Sequence, residues 1–181
     1  VLVGIIGVFV FFWLISAGKL GFMPTFEELE NPNNRFASEV YFADGPIMNR
    51  YFEKENRKYI EYREIPQSVI DALIATEDVR FYDHSGVDVR GLFRVAKGLL
   101  TANTSAGGGS TISQQLAKML FPRESDLNVF ELAIRKFREW VIAVRLEKSY
   151  TKEEILTMYL NKYDFLNLAV GISSAADIYF Q

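Results

Sequence analysis

Two adjacent carboxylates, Glu77 and Asp78, stand in the run LIATEDVRFYDHSG, followed by Arg80, Phe81, His84 and Gly86. Ile70, Leu73, Ile74 and Glu77 fall at i, i+3, i+4 and i+7, so a helix through them puts Glu77 on its apolar face. A carboxylate there is half-desolvated and sits beside a second negative charge. Both effects favour the proton-bound form and suit a group that takes and returns protons. The same residues also suit a structural role, in which Glu77 caps a neighbouring helix or bridges to Arg80. His84 is the single histidine of the chain, and a histidine of this kind more often makes a structural contact than performs chemistry.

Two further polar clusters follow. GGGSTISQQLAK, Gly107 to Lys118, delivers Ser110 and Thr111 to a helix start, with Gln114, Gln115 and Lys118 on its first turns. Such a start can cradle phosphate or sugar oxygens. It lacks the spacing of a P-loop, and a flexible linker before a well-capped helix explains it equally. RKFREW, Arg135 to Trp140, sets Glu139 four residues from Arg135 and three from Lys136. That pattern usually marks a solvated helix face, but the same cations could stabilise charge developing on a leaving diphosphate.

The elements that must position these residues are mostly helical. Asp44-Gly45 separates two β-prone runs and predicts a small hairpin. A short helical turn is expected over Thr25 to Leu29. After Pro66 the pattern becomes helical, with Ser68 and Asp71 resembling a capping box. Asp88 to Leu100 predicts an amphipathic helix bearing Arg90, Arg94 and Lys97, suited to a core position or to anionic headgroups. Thr101 to Gly109 reads as a flexible loop. Asn128 to Tyr150 predicts one long helix, and Thr151 with Glu154 a second capping box opening a helix through Asn161.

Val1 to Gly18 carries no charge, and its length approaches the roughly 20 residues that a bilayer span needs; it is expected to be a transmembrane helix. Three segments follow from this: 1–18 as the span, 19–64 as a juxtamembrane connector with the hairpin, and 65–181 as the main domain. With 181 residues and 49% hydrophobic side chains, the chain suits one domain and an appendage, and not a multi-span membrane protein. Cysteine is absent, which excludes disulfides and thiolate metal sites. The net charge is −3, yet Val89 to Pro122 holds Arg90, Arg94, Lys97 and Lys118 with no acid, an island that could attract an anion.

Taken in order, the clusters resemble the peptidoglycan glycosyltransferase domain, glycosyltransferase family 51, of class A penicillin-binding proteins and their monofunctional relatives. EDVRFYDHSG, GGSTISQQLAK, RKFRE, KEEILTMYLN (Lys152 to Asn161) and GISSAADIYF (Gly171 to Phe180) match five ordered motifs of that family. The resemblance implies a mainly α, lysozyme-like glycosyltransferase fold on the outer face of the bacterial cytoplasmic membrane, anchored by a single pass. It implies polymerisation of lipid II with release of undecaprenyl diphosphate and inversion at the anomeric carbon. Glu77 falls where the family has its general base and Glu139 where it has a second functional carboxylate, near the donor diphosphate and a possible divalent metal ion, Mg or Mn. Asp78, Arg80, Ser110, Thr111, Gln114, Lys118, Arg135 and Lys136 fall at substrate-binding positions.

The implied partners are lipid II, the growing glycan strand, membrane lipid and a cell-wall synthesis complex, with no nucleic acid. Asp164, Leu166 and Leu168 depart from the family pattern, the leucines adding bulk where glycine would allow close backbone approach. A transpeptidase half is not represented in the chain. Two rival functions fit some of the residues. Paired carboxylates on a lysozyme-like fold would suit a glycan hydrolase, although a neutral glycosidic bond gives Arg135, Lys136 and Arg138 no diphosphate to hold. An inactive membrane-anchored wall-binding module would bind lipid II without turnover.

Overall fold

The computed structural model describes residues 2–21, 23–25, 38–41, 47–51, 58–101, 108–121 and 128–180. Among the described residues are seven α-helices: α1 (Leu2–Ser16), α2 (Gln67–Glu77), α3 (Val89–Leu100), α4 (Ile112–Leu120), α5 (Val129–Ser149), α6 (Lys152–Lys162) and α7 (Ile172–Tyr179). Two strands, β1 (Ser38–Tyr41) and β2 (Ile47–Tyr51), pair antiparallel with Ser38 opposite Tyr51. The connection that would make them a hairpin, including Asp44-Gly45, lies outside the described residues, as do 26–29 of the expected helical turn and 102–107 of the expected loop.

The core forms around α4. Ile112, Leu116 and Ala117 are buried there, against Ile142 and Leu146 of α5 and Ile155, Leu156 and Tyr159 of α6. Fully burying each large aliphatic side chain stabilises the fold by about 1.5–3 kcal/mol. Local signals start two of these helices. The Asn128 side chain accepts from the Glu131 N–H while Glu131 reaches back to the Asn128 N–H, and Thr151 and Glu154 form the same reciprocal box. The box expected from Ser68 and Asp71 does not form. Instead α2 begins directly after Pro66, whose ring sets φ at −58°, and Gln67 Nε2 donates to Asp71 Oδ1 at 2.8 Å. A helix entered through proline has its first backbone angle fixed already.

The expected transmembrane segment is shorter than its sequence promised. α1 has 15 residues, about 22 Å at the helical rise per residue, against a hydrocarbon core of roughly 30 Å. Among the described residues no helix is long and apolar enough to cross a membrane. One side of α1 packs on α5: Phe11 and Phe12 meet the Phe137 ring edge-on, and Phe137 meets Trp140. Arg145 of α5 closes the contact by donating to the Ser16 carbonyl and hydroxyl, both at 2.8 Å, and to the Pro24 carbonyl at 3.0 Å. The Ser16 carbonyl, at the end of α1, has no intrahelical donor, so a cation there is doubly favourable.

Between α6 and α7, Leu166, Asn167 and Leu168 all have left-handed backbones, with φ of 69°, 50° and 66°. This is the stretch where the leucines stand out in the sequence, and glycine would enter that conformation without steric cost. Both leucines are exposed.

Between α2 and α3 the chain makes a tight return in which Phe81 is fully buried. Gly86 has φ +95°, and a methyl added to it would lie 2.7 Å from the Ala143 carbonyl carbon of α5. Both the backbone conformation and the close approach require glycine. Gly86→Ala is therefore expected to destabilise the fold by about 3 kcal/mol, read as a lowered urea midpoint with an unchanged slope.

Candidate active site

Of the two adjacent carboxylates, Asp78 is the buried one. As the residue ending α2 it turns inward, and its Oδ2 accepts the Ile112 N–H at 3.1 Å. His84 Nε2 lies 3.1 and 3.0 Å from its two oxygens. The Gly86 N–H donates to His84 Nδ1 at 3.2 Å, which requires a lone pair on Nδ1 and places the ring proton on Nε2, facing Asp78. His84 is thus a structural histidine.

The frame continues through Gly86. Its carbonyl accepts the Thr111 hydroxyl at 2.7 Å and Gln114 Nε2 at 3.3 Å, while Thr111 Oγ1 caps α4 by accepting the Gln114 N–H at 3.1 Å. Thr111 and Gln114 are both buried. Thr111 reaches the floor of the cleft described below, but its hydroxyl is committed to the frame, and Gln114 lies beneath the cleft altogether. Gln114, expected at a substrate-binding position, bonds the Gly86 carbonyl and is not among the residues that line the cleft.

Glu77 is exposed, contrary to the expectation from its helical position. Ile70 is buried on the same stripe of α2 and Leu73 and Ile74 are half-buried, but no described element buries the stripe over the last turn. Glu77 looks into a cleft of about 310 Å³ lined by residues 75–80, Asp88, Gly91, Arg94 and 108–111. Gln115 Nε2 donates to Glu77 Oε2 at 2.8 Å, and the Tyr159 hydroxyl donates to Gln115 Oε1 at 2.9 Å.

Arg80 does not bridge to Glu77. It pairs with Asp88 through two hydrogen bonds, and Asp88 Oδ1 also accepts the Gly91 N–H at 3.0 Å. Burial works to raise the Asp88 pKa, but the Arg80 hydrogen bond, the Gly91 N–H and the Arg80 charge outweigh it and hold the carboxyl below its ordinary value. At the Ser110 side of the cleft, Lys136 Nζ donates to Ser110 Oγ at 2.8 Å and to Glu139 Oε2 at 2.9 Å. Glu139 is thereby tied to a cation. Among the described residues no three His, Cys, Asp or Glu side chains cluster as they would to hold a metal ion.

The cleft therefore joins an open carboxylate, Glu77, to Arg80, Arg94, Ser110 and, through Ser110, Lys136 and Glu139. Proton abstraction from a hydroxyl, with cations near a departing anion, is chemistry this arrangement can perform. Lys118, exposed on the last turn of α4, and Arg135, half-buried on α5, do not line it.

Tyr159, Glu147 and Lys152 were absent from the candidates drawn from the sequence, and Gln115 was read there only as part of a cradle at the start of α4. Gln115 and Tyr159 support Glu77 as above. Glu147 and Lys152 form a second lock: Lys152 Nζ lies 2.7 Å from Glu147 Oε2, donates to the His84 carbonyl at 2.7 Å and stands 4.2 Å above the Phe81 ring, while Ser113 donates to Glu147. The signal for Glu147 was its place four residues after buried Ala143 and next to buried Leu146, an acid on an inward helix face.

A family profile described as Transglycosylase matches residues 44–181. Penicillin-binding protein 1A of Escherichia coli (strain K12) is 39% identical over 158 residues, 87% of this chain and 18% of that protein. Penicillin-binding protein 1A of Pseudomonas aeruginosa is 38% identical over the same shares, and that of Haemophilus influenzae is 38% identical over 167 residues, 92% of this chain and 18% of the relative. The chain thus spans 18% of the length of these curated relatives.

The Asp88 geometry carries a pH signature. A carboxyl held low in the folded state stabilises the protein fully above its unfolded value and loses that contribution as pH falls through the folded one. Asp88→Asn is expected to lower stability at pH 7 and to match the parent once pH drops well below roughly 4, as measured by urea unfolding at both values.

Proposed function

The chain belongs to the transglycosylase family, and on that footing we propose that it is a peptidoglycan glycosyltransferase that polymerises lipid II into glycan strands for the cell wall. The observation that carries this reading is the open carboxylate of Glu77 in a cleft with Arg80, Arg94 and Ser110. Glu77 takes the proton of the acceptor sugar 4-hydroxyl as that oxygen attacks the anomeric carbon of the growing chain. The new O–C bond forms on the face opposite the breaking one, so the centre inverts, and the electron pair leaves on undecaprenyl diphosphate. General-base assistance of this kind contributes about 10²–10⁴ in rate.

The cations have a matching role. Arg94 lines the cleft and Lys136 is held at Ser110 by Glu139, where positive charge stabilises the departing diphosphate. Glu139 acts here by fixing that lysine. Glu139 is the residue here that could help to hold a divalent ion, which would supply further positive charge to the departing diphosphate. The frame of Asp78, His84 and Thr111 serves by holding the cleft walls together.

The reading also places the protein at the outer face of the bacterial cytoplasmic membrane, in a lysozyme-like arrangement, working on lipid and strand within a wall-synthesis complex. Support comes from surfaces that suit a lipid-tailed substrate. α3 exposes Phe93 and Leu100 beside Arg90, Arg94 and Lys97, a pattern that favours anionic headgroups. α1 exposes Phe9 and Trp13 with no charge along the helix.

Polymerisation of fluorescent lipid II in detergent tests the reading. The parent is expected to give a glycan ladder and Glu77→Gln to lower its rate at least about 10²-fold. A Glu77→Gln variant that polymerises at the parental rate would overturn the assignment, and shortening of preformed strands by the parent would identify a hydrolase.

A further inference from the structure

Glu77 occupies the last residue of α2 and is exposed, so packing does not select its rotamer. A freely rotating glutamate is a poor base, because the reacting oxygen must be aimed at a particular hydroxyl. Its hydrogen-bond partner among the described residues is Gln115, whose Nε2 donates to Glu77 Oε2 at 2.8 Å. A glutamine amide can present either a donor or an acceptor. Here the other end is engaged, since the Tyr159 hydroxyl donates to Gln115 Oε1 at 2.9 Å.

Tyr159 is a rigid origin for this chain of bonds. It lies in the core on α6 with 2% of its surface exposed, and its ring stacks on Tyr163 with centroids 5.4 Å apart. Burial first, then the charges of Glu77 and Tyr163, raises its pKa, so the phenol keeps its proton and remains a donor. We propose that Gln115 and Tyr159 are positioning residues for the base: the relay Tyr159 O–H to Gln115 and Gln115 N–H to Glu77 ties down Oε2 and leaves Oε1 directed at the substrate hydroxyl. This rests on Glu77 being the base. The relay joins α6, α4 and α2, so aiming of the carboxylate is set by the packing of three helices.

The test is a double-mutant cycle on the full chain, with steady-state turnover of a lipid-linked disaccharide diphosphate measured across pH. Tyr159→Phe removes only the hydroxyl, and Gln115→Met keeps side-chain length without a donor. The charged groups near Glu77 are Asp78, Arg80, Asp88 and Arg94 along the cleft, with Tyr159 from α6, and the cycle leaves all the ionised ones in place. Each single variant is expected to lower kcat about tenfold with KM nearly unchanged. The fall in kcat should persist across the pH profile, as a misaimed carboxylate predicts. In the Gln115→Met background, Tyr159→Phe should add nothing, since the hydroxyl has no amide to act through.

Parental kcat across the pH profile in Tyr159→Phe, or single losses that multiply in the double variant, would overturn the relay. Glu77→Gln is assayed alongside. Its inactivity together with a silent Tyr159→Phe defeats the relay and leaves the base standing, whereas parental turnover in Glu77→Gln defeats both.

Discussion

The buried Asp78 carboxylate holds together the parts on which the site depends. It accepts the first amide of α4 and faces the His84 ring, joining segments 34 residues apart in the chain. A buried charge is tolerated only with such a set of donors. Because the donors come from the α2–α3 return and from the start of α4, satisfying Asp78 fixes those two segments against each other. The Gly86 carbonyl, Thr111 and Gln114 extend the same junction, and Glu147 with Lys152 ties it to α5 and α6. The walls of the cleft are consequently rigid where Glu77 and Ser110 stand.

Neighbouring residues have divided the work between chemistry and support. Glu77 and Asp78 share a type and adjoin in sequence, but one faces the cleft and the other the core. Gln114 and Gln115 divide in the same way: a helix turns about 100° per residue, so one amide bonds the Gly86 carbonyl below and the other reaches Glu77. The buried member of each pair fixes the backbone at its junction, and the outer members, Glu77 and Gln115, bond each other. Function in this fold is assembled from buried polar groups that bond one another underneath and an exposed carboxylate on top.

Local physics was readable in the sequence. The long helix after Asn128 and the Thr151 box are set by residues three or four apart, and α4 starts where Thr111 follows the glycines. What failed to show was whatever depends on distant partners. Periodicity placed Glu77 on the apolar stripe of α2, but it could not reveal that no described element buries the last turn or that Ile112 offers its N–H to Asp78. The Ser68 cap lost to Pro66, and the apolar run at the N-terminus ended after 15 helical residues in a turn held by Arg145. Tyr159 stands four residues after Ile155, the spacing of an ordinary inward-facing residue, and only its hydroxyl, which needs a partner when buried, points to a polar neighbour.

The most direct test of this division is the unfolding free energy of Asp78→Ala against that of Glu77→Ala. Loss of Asp78 leaves the Ile112 amide and the His84 ring buried without an acceptor, so a fall of about 3 kcal/mol is expected. Glu77→Ala should stay within about 0.5 kcal/mol of the parent, as exposed substitutions do. Equal destabilisation by the two, or a larger loss from Glu77→Ala, would contradict the claim that one carboxylate builds the site and the other is free to react.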